Sequence, residues 1–293
     1  MKNIFKPSVL ERMSRYTDLT VAIHNFNFHA DDVFSIALLK ALSKVCGFNL
    51  KVIRTRDESI LQTVDMRVDV GLKYSEETLD FDHHQKDPSL MQPEGIKHSA
   101  FGLLCKWCMK EDFLQIYRRK YILGIEYQDN NGRVHDYYGN IGYFVHTFLP
   151  AYGENTTVDK AFEDALFLAE IVFERSVRII QGIFQAENEL EDIIVEKLCD
   201  DRIIVLNRPI YILPELHPNW KFVISPHPTG GWSFIGMNGQ LICNEIRGFN
   251  AKDLKAKGVN GKFIHIGGFT GTLDELEDVK EICINSLNQN TRY

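Results

Sequence analysis

The 293-residue chain has no surplus of basic residues: 33 Lys and Arg stand against 40 Asp and Glu, a formal charge of −7. That balance argues against a protein that coats nucleic acid through bulk positive charge, although an enzyme gripping one strand end remains compatible with it. Cysteine is sparse. Cys46, Cys105, Cys108, Cys199, Cys243 and Cys283 are too few for a disulfide framework in a chain this long, and they read as thiols. No window approaches the roughly 18 apolar residues that cross a bilayer, and the opening MKNIFKPSVLERMSRY interrupts its apolar positions with charge. The expectation is a cytoplasmic protein with no membrane partner. The composition excludes disorder, collagen and coiled coil, and internal repeats and low-complexity tracts are also missing. What is present is ordinary globular material, 44% apolar and 25% charged. At about 150 residues per domain the length favours two domains.

The first half alternates. Leu19 to Ile23 reads as a buried strand, and Asp31 to Val45 as an amphipathic helix with apolar Val33, Ile36, Ala37, Leu39 and Leu42. Strands follow at Asn49 to Arg54, Asp65 to Val70 and Thr78 to Phe81, then helices at Ser99 to Lys110 and Asp112 to Tyr127. Alternation of this kind predicts an α/β fold, a mostly parallel sheet with helices on both faces and ligands beyond the carboxyl ends of its strands. The segment Thr147 to Asp159, with Pro150 and Gly153, reads as a boundary closing a domain over 1–150. A helical connector is expected over 151–200, its stripe running through Phe162, Leu166, Ala169, Phe173, Val177, Ile180 and Phe184, with a break near Gly182. Strands at Ile203 to Leu206, Ile210 to Leu213, Lys221 to Ser225 and Trp232 to Met237, with a helix after Gly271, predict a smaller α+β domain over 201–293.

Chemistry-bearing residues concentrate in the turns after the first-half strands. His24, His29, Asp31 and Asp32 fall within nine residues where a strand gives way to a helix, a pattern that suits a hard or borderline metal ion. Asp31 or Asp32 equally suits an N-terminal helix carboxylate. Asp69 interrupts apolar residues at a strand end and could be a plain turn former. In Asp82-His83-His84, extended backbone would send the two imidazoles to opposite sides, one toward an ion and the other toward substrate. Glu126 to Gly132 carries Asp129 at a helix end, where a solvated turn is the bland alternative. Four such clusters at successive loops of one domain fit a site in which a shared carboxylate holds two ions about 3.5–4 Å apart.

The segments IHNFNFHADD, VDVGLKYSEETLDFDHHQ and IEYQDNNG resemble, in order and spacing, the MYG-type exonuclease family, a branch of the DHH phosphoesterase superfamily. The resemblance continues through GIKHSAFGLL, NEIRGFNAKDL and GVNGKFIHIGGFTG. It implies that His24, His29 and Asp69 hold one ion and that Asp31, Asp69, His83 and Asp129 hold a second, with Asp69 as the bridge. Asp82 would orient an imidazole, and His84 would contact phosphate or protonate the leaving oxygen. Departures from the family pattern gather in the first loop: Phe26 stands where glycine is usual, Ile23 for threonine, Ala30 for cysteine and Asp32 for glutamate. A glycine at 26 would serve a backbone angle that phenylalanine does not adopt cheaply.

Imidazole and carboxylate without thiolate favour Mn²⁺, two ions on the family pattern, with Mg²⁺, Fe²⁺, Co²⁺ or Zn²⁺ as alternatives. In the second domain, the stretch from His265 through Gly267 and Gly268 to Gly271 is expected to leave a strand and enter a helix, so that its N–H groups meet a substrate phosphate with help from Arg247. Cys105-Lys106-Trp107-Cys108 reads as structural, Arg118-Arg119-Lys120 as a solvated face, and His135, His146, His217 and His227 as residues without recognisable partners. The expected activity is two-metal hydrolysis of RNA or short oligonucleotides to mononucleotides. Alternatives are a phosphatase or pyrophosphatase on a small molecule, a non-catalytic metal- and nucleotide-binding module, and metal-assisted amide hydrolysis. No stable protein partner is inferable, and a homodimer is left open.

Overall fold

The computed structural model describes residues 1–92, 95–131 and 141–290. They form two compact units, Met1–Ile180 and Gln181–Tyr293. The division falls inside a helix that runs through the segment expected as connector, not at 150 or 200.

The first unit is α/β. Strands β1 (Asp18–Ile23), β2 (Asn49–Arg54), β3 (Met66–Val68), β4 (Tyr74–Ser75) and β5 (Asp80–Phe81) form a sheet in the order β2-β1-β3-β5-β4. All neighbours pair in parallel except β4, which turns back antiparallel on β5. The central strands are apolar because they are covered: Leu19, Val21, Ile23, Met66, Val68 and Phe81 are fully buried. Helix α1 (Pro7–Met13) precedes the sheet, and α2 (Ala30–Cys46) follows β1, ending on Gly47 in left-handed backbone. Short α3 (Glu58–Leu61) joins β2 to β3, and α4 (Ala100–Cys108) buries Phe101 and Leu104. Helix α5 (Glu111–Tyr117) runs through five residues of π-helix, Arg118–Ile122, into α6 (Leu123–Asn131), so Asp112 to Tyr127 is one rod with a widened turn. Helix α7 (Ile141–His146) follows.

Helix α8 (Val158–Ile193) is 36 residues long and continues through Gly182, where the expected break does not occur. In the first unit its stripe of Phe162, Leu166, Ala169, Phe173, Val177 and Ile180 is buried, as the spacing predicts. Among the described residues, no helix is long and apolar enough to cross a membrane.

The second unit is a mixed sheet with helices. Strands β6 (Ile194–Leu198), β7 (Ile203–Leu206), β8 (Phe222–Pro226), β9 (Trp232–Gly236), β10 (Gly261–Ile264) and β11 (Thr270–Leu273) run in the order β10-β11-β9-β8-β7-β6, and only β7 and β8 are parallel. Helices α9 (Ala251–Ala256) and α10 (Leu276–Asn290) complete it. Strand β7 shows why its sequence is an unbroken apolar run. Ile203 and Val205 pack with Val279 and Cys283 of α10, whereas Ile204 and Leu206 pack with Leu190 and Ile193 of α8, so both faces are covered. The strand expected at Ile210 to Leu213 is absent. Pro209 and Pro214 bracket it, and Ile212 and Leu213 are buried without joining a ladder, because proline supplies no N–H to one.

Candidate metal centre

Parallel pairing carries the ends of β1, β3 and β5 to one edge of the first sheet, and each strand is followed at once by a candidate ligand. His24 follows β1, Asp69 follows β3, and Asp82 and His83 follow β5. Asp69 sits at φ 53, in left-handed backbone that aspartate tolerates better than most residues, which turns its carboxylate back over the strand ends. Asp31 and Asp32 occupy the first turn of α2. Asp32 closes a capping box, accepting the His29 N–H at 2.9 Å, so the helix-carboxylate reading holds for it.

These loops bring the predicted residues together. Asp69 Oδ2 lies 3.2 Å from His24 Nε2, and Asp69 Oδ1 lies 3.3 Å from His83 Nε2. His83 Nε2 is also 3.1 Å from Asp129 Oδ2. Among the described residues, three groups of ligand-type atoms result, each with all members within 4.8 Å of one another: His24, His29, Asp32 and Asp69; Asp69, His83 and His84; and His29, Asp31 and Asp129. Asp69 belongs to two of them, and so does His29. Asp32, which the residue pattern treats as a family variant and a cap, therefore also faces the cluster, with Oδ2 2.9 Å from His24 Nε2. Its capping-box spacing from His29 was the available signal.

The electrostatics call for positive charge. Burial, then the charges of Asp69, Asp129 and Asp32, push the fully buried Asp31 carboxyl well above its usual range. Burial and Asp69 likewise raise Asp32. Burial raises Asp129, with His83 partly offsetting it. Burial opposes charge on His24 too, but hydrogen bonds with Asp32 and Asp69 outweigh it and the imidazole is pushed up to about 10. For Asp69, the nearby His24 and His83 imidazoles overcome burial and hold the carboxyl far below its usual range. Both oxygens of Asp31, one oxygen each of Asp32, Asp69 and Asp129, and both ring nitrogens of His83 are buried without a hydrogen-bond partner among the described residues. So many unmet acceptors in one place are what a cation would satisfy. Imidazole nitrogens and carboxylate oxygens, with no thiolate, fit divalent ions.

The imidazole that Asp82 holds is that of His84. Asp82 Oδ1 accepts from His84 N at 2.9 Å and lies 2.8 Å from His84 Nδ1, while Oδ2 accepts from Leu72 N at 2.7 Å. That contact raises the His84 pKa. His83 is buried and the His84 side chain is half exposed, but the two imidazoles do not part to opposite sides: β5 ends at Phe81, their ring centroids lie 4.4 Å apart, and His84 Nδ1 is 3.4 Å from the same Asp69 Oδ1 that faces His83. Beside the cluster lies a cavity of about 230 Å³ lined by His29, Ala30, Asp31, Ile125, Gln128, Asp129, Gly142, Tyr143 and His146. Its α7 wall carried no readable signal in the sequence. A second buried network was also missed: Glu126, one turn before Asp129, accepts from Gln92 Nε2 at 2.8 Å and lies 2.9 Å from His98 Nδ1.

Elsewhere the structure revises the expectations. His265 to Phe269 is the turn of the β10–β11 hairpin, not an entry to a helix; α10 starts only at Leu276. The Gly267 N–H donates to His265 Nδ1 and the Gly268 N–H to His265 O. Arg247 donates to Ile242 O through Nε at 2.8 Å and through a terminal nitrogen at 2.5 Å. His217 has partners after all, Glu187 at 2.8 Å and the stacked Trp220 ring, and His227 Nδ1 accepts from Thr229 N. Cys105 and Cys108 are buried, and burial raises both thiols. His135 and Gly132 lie outside the described residues.

The profile of the MYG1_exonuc family, described as "Uncharacterised protein family (UPF0160)", matches residues 20–120. The chain is 26% identical to the MYG1 protein of Dictyostelium discoideum over 338 residues, covering 94% of this chain and 98% of that protein. It is 31% identical to the MYG1 protein of Chlamydia pneumoniae over 213 residues, covering 68% of this chain and 69% of that one. A 66-residue stretch is 38% identical to the MYG1 exonuclease of Mus musculus, 22% of this chain and 17% of the mouse protein.

Proposed function

The chain belongs to the MYG1 family, and from that premise we propose that it is a metal-dependent phosphoesterase that removes mononucleotides from the end of RNA or short oligonucleotides. The observation that carries this reading is the Asp69 carboxylate, one of whose oxygens faces His24 and the other His83. His24, His29, Asp32 and Asp69 would hold one Mn²⁺ ion, and Asp31, Asp69, His83 and Asp129 a second. When bound, such ions polarise a phosphoryl oxygen and ease deprotonation of water near neutral pH. The chain's own groups do the rest. Asp82 fixes the His84 ring through Nδ1, which leaves Nε2 on a half-exposed side chain free to donate a hydrogen bond to a phosphoryl oxygen or a proton to the leaving oxygen. The cavity against His29, Asp31 and Asp129 would seat the terminal nucleoside and exclude water from it.

The test is a 5′-labelled RNA 12-mer incubated with Mn²⁺, beside Asp69→Asn and chelator controls. Mononucleotide product or a ladder, lost in both controls, is the expected result. No cleavage by folded, Mn²⁺-loaded protein would overturn the nuclease reading and shift weight to a small phosphorylated substrate.

A further inference from the structure

The loop that joins His24 to His29 carries an aromatic ring in an unusual setting. Phe26 is 73% exposed and sits at φ 68, left-handed backbone that glycine takes freely and a phenylalanine seldom does. In the free chain, neither exposure nor backbone favours this residue. Its neighbour Phe28 is fully buried edge-on against Phe162, 5.6 Å between centroids, so the loop can bury an aromatic ring and turns this one outward.

Phe26 is also held firmly. A terminal nitrogen of Arg54 donates to its carbonyl, and the Arg54 guanidinium lies 4.9 Å from the Phe162 centroid. Arg56 donates to Asn25 O at 2.5 Å and to Asn25 Oδ1 at 3.0 Å, and its guanidinium lies 5.8 Å from the Phe26 centroid. An exposed ring beside a fixed cation is the combination that binds a stacked base and its phosphate. Phe26 is two residues from His24 and three from His29, and a chain spans at most about 3.3–3.6 Å per residue. A base one nucleotide away from a phosphate at the cluster therefore falls within reach of the ring.

We propose that Phe26 is a stacking platform for a nucleobase of the substrate, with Arg56 facing the adjoining phosphate. The proposal rests on the oligonucleotide reading and narrows it: stacking accepts every base, so recognition here is of a single strand and not of a sequence.

The experiment uses the full chain in Mn²⁺ with a phosphorothioate RNA hexamer, resistant to cleavage, carrying 2-aminopurine at each position in turn. Wild type should quench the fluorophore at one or two positions. Phe26→Gly should abolish that quench and weaken binding about tenfold, Phe26→Trp should restore both, and the Tm of Phe26→Gly should equal or exceed that of wild type. On the plain 12-mer the loss should fall on KM more than on kcat. A quench and Kd unchanged in Phe26→Gly, in a protein that cleaves the 12-mer, overturn the platform and leave the nuclease reading standing. A hexamer stacked by wild type that cleaves no RNA overturns the nuclease reading and keeps the platform. A fall of several degrees in Tm for Phe26→Gly marks the ring as structural and overturns the platform, and wild type that neither binds nor cleaves overturns both.

Discussion

Two regions that carry histidine at the ends of strands, one in each unit, differ in how their polar groups are satisfied. In the first unit the loops after β1, β3 and β5 bury carboxylate oxygens and the His83 ring nitrogens, which find no hydrogen-bond partner among the described residues. In the second unit the His265 to Phe269 turn is closed on itself. Its glycine N–H groups bind the His265 ring and carbonyl, and Arg247 packs across Gly268 toward Ile242 O. Folding tends to satisfy buried polar groups, so a persistent excess of unmet acceptors marks the place arranged for a ligand. A turn whose groups already have partners first explains itself as structure.

The comparison breaks most visibly at Asp69. Asp69→Asn should lower turnover about a thousandfold or more, because one side chain serves both groups of donors. The same variant should abolish the rise in Tm that Mn²⁺ gives wild type, which at a hundred times Kd corresponds to about 2.7 kcal/mol. A calorimetric scan with and without Mn²⁺ checks this; an unchanged Mn²⁺ shift would move the metal site elsewhere. Asp82→Asn should act differently. It leaves the cluster intact and loosens His84, so turnover should fall about 10- to 100-fold while the Mn²⁺ shift persists. Imidazole added to His84→Ala should restore part of the rate, which a purely structural role would not allow.

The sequence made the first unit legible because period and chemistry agreed there. The 3.6-residue pattern over Asp31 to Val45 and the apolar runs at β1 and β2 gave the elements within a residue or two, and the chemistry sat where parallel strands end. Asp32 was harder, since a helix-capping carboxylate and a cluster-facing one look the same in one dimension, and this side chain is both. The second unit misled in two places. Ile210 and Ile212 are apolar for packing in the cluster of Leu190 and Ile204, while Tyr211 is exposed, and the flanking prolines outweigh the strand-like composition. The glycines after His265 suit a hairpin turn as well as a helix entry, and only the pairing of β11 with β10 and β9 separates the two. Phe26 adopts the left-handed angle for which glycine is the usual choice, the backbone setting that the departure from glycine leaves in place in this chain.

Gly268→Ala sharpens the comparison from the other side. A Cβ at this residue, φ 70, would lie 2.4 Å from Arg247 Nε and 2.8 Å from its Cδ, in a side chain tied to Ile242 O. The variant should lose about 1–3 kcal/mol of stability through strain and displacement of Arg247, with the Mn²⁺ shift unaltered. Stability is read by urea titration, and KM for the RNA 12-mer is measured beside it. A tenfold rise in KM at unchanged stability would instead make the turn a phosphate-contacting element.

The smallest effect lies between the two kinds of turn, at Asp80, a buried carboxylate of the first unit whose partners are all present. Burial raises its pKa, but hydrogen bonds from Arg67, Thr78 and Lys73 outweigh this and hold the carboxyl below its usual range. A group with a depressed folded pKa stabilises above its unfolded value, near 3.9, and loses that contribution as pH falls through the folded one. Asp80→Asn should therefore be less stable than wild type by about 1–2 kcal/mol at pH 7, and the gap should hold down to about pH 5. It should close as pH falls below about 4, as wild-type Asp80 takes up its proton. Urea midpoints of the two proteins in chelator across that range test the sign: a gap that widens with acid would mean that Asp80 is held protonated and that its partners do not satisfy it.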